Sequence, residues 1–324
     1  MTMKSPIFSL FAFVLGFATS ALGAEKETSE SGNLRFARFT EKDTEAKLET
    51  VVSRYENEAG AKVELIGAVH IADAEYYDVL NERFKKYDAV LYEMVGGGAK
   101  ADAPVDKKNA LRFFQILYQQ MLDLEFQMNG IDYSAGNFVH ADMNWAQFSK
   151  RMKKKDENLF ILMSKAFEHQ EEMRAEGKGD GFFDPRGMME AIYKGDSPDE
   201  IKLVVGKQFA NMDVLMAGME QGKGGSVLIG ERNKVALKVL SKELKKGKRN
   251  LALFYGAAHL PGMDKQLTEK MGFKRTGVEW LVAWNVDKSA MAEEEEAKAA
   301  ERKKDEFEVR KALPVEVEEK KKAA

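Results

Sequence analysis

The chain has 324 residues, 44% of them hydrophobic, a formal net charge of −3 and no cysteine. That length and apolar content can fill one large core or two ordinary ones. The lack of cysteine excludes disulfides, thiolate metal sites and lipid attachment to an N-terminal Cys, and the slightly acidic balance speaks against a nucleic-acid partner, which wants a concentrated basic face.

The first 24 residues, "MTMKSPIFSLFAFVLGFATSALGA", set one lysine before an apolar stretch and end in small residues. This is the layout of a secretory signal peptide. The strongly apolar core from Ile7 to Ala18 is shorter than the roughly 20 residues that span a bilayer. The mature chain is therefore expected to begin near Ala24 or Glu25, exported to a periplasm or beyond, meeting a membrane only through this segment before cleavage.

Lys62 to Ile66 then reads as a strand, and "DAEYYDVLNERFKKY" sets Tyr76, Tyr77, Leu80 and Phe84 at helical spacing. "DAVLYEMV" reads as a second strand closed by Gly96-Gly97-Gly98, which completes a βαβ unit and calls for a parallel sheet buried on both faces. From about residue 104 to 225 helical patterns dominate, including "NALRFFQILYQQMLDLEFQM" and "ENLFILMSKAFEHQEEMRAEG", which suggests a helical insertion; the methionines of "FANMDVLMAGMEQ" read as core packing. The opening order returns near the end, with "NLALFYG" as a strand, "GMDKQLTEKMG" as a short helix and "GVEWLVAWNV" as a last strand. The expected architecture is a three-layer α/β/α domain over 25–287, with a central, mostly parallel sheet and the helical insertion between two βαβ-like ends. Residues 288–324 carry mixed charge and few apolar groups, as a solvated helix or disordered tail does.

Familiar catalytic motifs are missing. "HQEEM" lacks the order and second histidine of H-E-x-x-H, "GGGAK" and "GKGGS" are not phosphate loops, and no G-x-S-x-G elbow occurs. What stands out is a repeated phrase. Of four histidines, two end strand-like runs after glycine: Gly67-Ala68-Val69-His70 and Gly256-Ala257-Ala258-His259. Ligands bind open α/β sheets at the carboxyl ends of the strands, and glycine there permits a tight exit or a positive φ. Glu93 ends the next strand and is expected at the same rim, where a buried carboxylate needs a metal ion, a cation or a hydrogen-bond donor. Two imidazoles and a carboxylate suit a divalent ion such as Zn, Mn, Co or Fe. Arg232 and Asn233 precede a helix and are candidates to hold a substrate carboxylate or carbonyl oxygen. Asp142, in "NFVHADMNW", is a candidate ligand, a partner of a ligand, or a helix cap.

These features resemble the TraB/PrgY/GumN family, which includes the TIKI metalloproteases and is related in fold to the erythromycin esterase and ChaN-like proteins. The resemblance rests on "GAVHIADAEYYDVL", "YDAVLYEMV", "FVHADM", "GERNKVALKVL" and "LALFYGAAHLPGMDKQLTEKMGF", in that order over about residues 60 to 285. It implies a parallel-rich α/β/α core in which the two G-x-x-H motifs meet. By position, His70 and His259 match metal-site histidines, Glu93 the acidic site residue, and Arg232 with Asn233 the family's Arg-Asn pair. Asp142 matches more loosely, because Met143 follows it where the family usually has Arg. The resemblance implies an exported metal-dependent hydrolase, a peptidase acting on a peptide or small-molecule substrate, with His70, His259, Glu93 and Asp142 as metal residues and Glu93, Arg232 and Asn233 as catalytic ones. A metal-free esterase-like hydrolase with a histidine base, and a protein that only sequesters a ligand, are the alternatives.

Overall fold

The computed structural model describes residues 36–96, 122–177, 197–209, 216, 218–220 and 225–293. The segment read as a signal peptide, the tail beyond residue 293, Gly97-Gly98 and the start of the first long helical pattern lie outside them. The described residues form an α/β/α sandwich around a seven-stranded sheet.

The long strand β2 (Glu45–Asn57) organises one side of the sheet. Along one edge it pairs antiparallel with β1 (Ala37–Glu41) through residues 46–50 and with β3 (Lys62–Ala68) through residues 52–56. Its other edge carries β9 (Phe273–Asp287), also antiparallel. Beyond β3 the order is β8 (Asn250–Gly256), β5 (Ala89–Tyr92) and β7 (Phe138–His140), all parallel. Among the described residues β2 therefore runs against all the other strands of this sheet. A second, two-stranded ribbon joins β4 (Ile71–Ala72) to β6 (Glu125–Phe126).

The apolar runs divide by parity, as strands buried on both faces must. In β8, Leu251, Leu253 and Tyr255 face one core while Ala252 and Phe254 face the other. The first core is closed by α6 (Arg232–Lys245), through Ala236 and Leu240, and by α7 (Leu260–Lys270), through Leu260, Met263 and Leu267. The second is closed by α1 (Ala74–Phe84), whose Tyr76, Tyr77, Leu80 and Phe84 are buried at the spacing read from sequence, and by α5 (Pro198–Gln208). A one-turn helix, α2 (Gln127–Gly130), follows β6.

Beyond the sheet, α3 (Trp145–Lys154) and α4 (Leu159–Ala175) enclose a third, Met-rich cluster with Met143, Met152, Met216 and Met219. Side-chain caps start these helices: Asn144 forms a capping box with Gln147, and Asn158 accepts from the Ile161 N–H.

Two expectations need adjustment. The insertion is not purely helical, because β6 and β7 lie within it and β7 extends the main sheet. The last strand does not close a second βαβ pair either: β9 crosses to the far edge and pairs with β2, while β8 slots between β3 and β5. Apolar periodicity identifies a buried strand without naming its neighbour. The start of the tail is docked, since Lys288 bonds to Glu41 and to the Lys42 carbonyl.

Candidate functional site

All four adjacent parallel strands deliver polar residues at their carboxyl ends. β3 leads to His70, β8 to His259, β5 to Glu93, and β7 to His140 and Asp142. Since β8 lies between β3 and β5, with Ala68 opposite Gly256 and Tyr92 opposite Phe254, the two ends of the chain supply neighbouring parts of one rim.

Arg232 is the centre of the site. A five-residue π-turn, Val227–Glu231, precedes α6 and is capped by Ser226; such wide turns recur at functional sites. It presents both Arg232 and Asn233 inward, 5% and 4% exposed. The guanidinium Nε donates to Asp142 Oδ1 at 3.0 Å and Nη2 to Asp142 Oδ2 at 2.6 Å, a bidentate fork. Nη2 also donates to Glu93 Oε1, and Nη1 to the Leu228 carbonyl at 3.2 Å and to His259 Nε2 at 3.3 Å. These contacts employ all five N–H groups of an arginine.

His259 is locked from both sides. Asn233 Nδ2 donates to the His259 carbonyl at 3.0 Å, which fixes the amide orientation, so Asn233 Oδ1 accepts from Nδ1 at 2.7 Å. Nδ1 therefore carries the proton and Nε2 the lone pair that meets Arg232. His70 is less buried, and its Nδ1 lies 3.0 Å from Gln127 Oε1. His140 and Asp142 hold the residue after Glu93: His140 Nε2 donates to the Met94 carbonyl at 2.7 Å, and Asp142 Oδ2 accepts from the Met94 N–H at 3.1 Å.

Glu93 links the groups. Its Oε2 accepts from the Gly256 N–H at 2.7 Å, and its Oε1 lies 3.5 Å from His259 Nε2. Burial opposes its ionisation, but the Arg232 guanidinium beside it, with smaller contributions from the His259 and His70 rings, outweighs burial and holds the carboxyl well below the usual carboxylate range. For Arg232, burial disfavours the charge and the two carboxylates more than restore it, raising its pKa.

The glycines of the repeated phrase serve close approach, not a positive φ. Gly256 has φ −48°, and a Cβ there would sit 3.2 Å from Glu93 Oε2. A Cβ at Gly67 would lie 3.3 Å from the Phe36 carbonyl oxygen.

The structure thus brings His70, Glu93, His259, Arg232, Asn233 and Asp142 to one rim but changes several roles. Asp142 is neither a cap nor a free ligand, because both oxygens are engaged by Arg232 and by the Met94 and Met143 N–H groups. The cap of α3 is Asn144. Arg232 has no N–H to offer a substrate oxygen, and Asn233 orients His259. Of the four residues expected to hold a divalent ion, Glu93, Asp142 and His259 contact Arg232, which pairs with both carboxylates and meets His259 Nε2, and no three His, Asp or Glu side chains among the described residues are grouped to hold a metal. Sequence reading missed Gln127 and Tyr133, which back His70. Gln127 lies at the end of the first long helical pattern and Tyr133 just beyond it, and neither position carries a spacing signal that links it to His70.

Fold and site together define an α/β protein with a cluster of polar and charged side chains at the carboxyl rim of its parallel strands. No protein-family model, curated protein or solved structure matches the chain significantly.

Proposed function

We propose that the protein is an exported hydrolase of esters or amides, related to the TraB/PrgY/GumN proteins, in which His70 is the general base. The observation that carries this reading is the contrast between the two rim histidines. His259 Nε2 is covered by Arg232, whereas His70 Nε2 has no hydrogen-bond partner among the described residues while its Nδ1 is held by Gln127. In the reaction His70 Nε2 takes a proton from water as the water oxygen bonds to the substrate carbonyl carbon. The proton then passes to the leaving alkoxide or amine as its bond to carbon breaks. Glu93, close enough for the charge of His70 to favour its ionised form, stabilises the imidazolium in return. Arg232, Asp142 and Asn233 keep Glu93 and His259 in place. The scheme routes no step through the divalent metal implied by the resemblance: Glu93, Asp142 and His259 are engaged with Arg232, while His70 Nε2 is not.

The test is hydrolysis of a panel of esters and short peptides by the purified chain and by His70→Gln, each with and without a chelator, alongside metal analysis. The reading expects turnover that resists the chelator and falls about 10²- to 10⁴-fold in His70→Gln. Turnover abolished by the chelator and restored by Zn or Mn would replace it with the metal-dependent reading. Tight ligand binding without turnover would replace it with sequestration.

A further inference from the structure

The rim carries a device that the hydrolytic scheme uses but does not explain. The ribbon of β4 and β6 lies outside the main sheet and pairs Ile71 with Phe126 and Ala72 with Glu125. Its effect is to lay Gln127 against His70: the Gln127 N–H donates to the His70 carbonyl at 2.9 Å, and Gln127 Oε1 meets His70 Nδ1 at 3.0 Å. The amide is 7% exposed, and its Nε2 donates to the Tyr133 hydroxyl at 2.8 Å. Tyr133 is 8% exposed and its ring lies 5.1 Å from that of Tyr92. Asn81 of α1 fixes the loop between them, donating to the Gly130 carbonyl at 2.6 Å and accepting from the Asp132 N–H at 3.1 Å.

On the other side of the rim Asn233 makes the same arrangement for His259, an amide oxygen on Nδ1. The two amides come from distant parts of the chain and share one consequence: each places the imidazole proton on Nδ1 and the lone pair on Nε2. A histidine whose second nitrogen is held by a buried partner keeps one tautomer and one ring orientation.

We infer that Gln127, oriented by Tyr133, is the positioning residue that holds His70 in the Nδ1–H tautomer and keeps the Nε2 lone pair available at the rim. This rests on His70 being the base. Because the partner is a neutral amide, the arrangement orients the imidazole without lending it negative charge. Gln127→Glu would add that charge, favour the imidazolium and move the acid limb of the activity profile to higher pH.

The experiment reads the tautomer directly and activity separately. Nitrogen-15 histidine spectra of the whole chain in alkaline buffer, with His70→Gln identifying the His70 signals, are expected to show the proton on Nδ1. Gln127→Leu is expected to lose that preference and to lower kcat about 10- to 100-fold with KM within about twofold. Gln127→Glu is expected to keep turnover, with its acid limb about one pH unit higher. A wild-type His70 protonated on Nε2, a tautomer unchanged in Gln127→Leu, or an unmoved limb in Gln127→Glu would overturn the inference. An Nδ1–H tautomer that depends on Gln127 in a protein without hydrolytic activity would uphold the positioning and refute the hydrolase.

Discussion

Arg232 uses its five N–H groups entirely within the protein, on two carboxylates, a carbonyl and an imidazole. Removing one partner from a buried charge network leaves the others uncompensated. Arg232→Met is accordingly expected to destabilise the fold by about 3–5 kcal/mol, measured by urea unfolding; a loss below about 1 kcal/mol would mean that Glu93 and Asp142 find other partners. Gly262 shows how close the packing is, since a Cβ there would lie 2.8 Å from Asn233 Nδ2. Gly262→Ala should cost about 1–3 kcal/mol through overpacking, with a drop in turnover as Asn233 shifts off His259. Unchanged stability and turnover would show that the helix accommodates the methyl group. Glu93 gives a pH prediction. Its carboxyl is held below its unfolded value of about 4.3, so its contribution to stability is present above that pH and fades as pH falls toward the lowered folded value. Unfolding free energies between pH 3 and 6 should fall less steeply with acid in Glu93→Gln than in the wild type, and parallel curves would contradict the assignment.

At the scale of elements, the rim strands β3, β5 and β8 and the helix after β3 were legible because burial on both faces leaves a continuous apolar run and burial of one helical face leaves a 3.6-residue rhythm. Tyr76, Tyr77, Leu80 and Phe84 obey that rhythm and are buried. The pairing of β9 with β2 and the place of β7 were not legible, because strand order depends on contacts between distant segments. The π-turn was equally hidden: "SVLIGE" reads as a short apolar run, yet the wide turn is what brings Arg232 and Asn233 to the interior together. Leu253, fully buried in central β8, should cost about 2–5 kcal/mol when cut to Ala; a smaller loss in thermal or urea unfolding would place β8 nearer an edge than its two partners imply.

Across the whole molecule, the fold makes one rim from segments far apart in sequence. β8 enters between β3 and β5, and so sets the strand leading to His259 beside those leading to His70 and Glu93. The repeated Gly-x-x-His phrase pointed to the rim where the candidate side chains meet, since glycine and histidine at strand ends mark close approach and a reactive group together. It could not give the division of labour, because the identity of each nitrogen's partner depends on Gln127, Asn233 and Arg232, which no spacing connects to the histidines. The central claim, that His70 is the base of one hydrolytic site whose Glu93 and Arg232 are held together with His259, is tested most directly by kcat/KM for His70→Gln, His259→Gln and the double variant on the best substrate of the panel. One shared unit predicts a double variant no worse than the poorer single variant to within about threefold, whereas losses that multiply, or turnover untouched in all three, would contradict it.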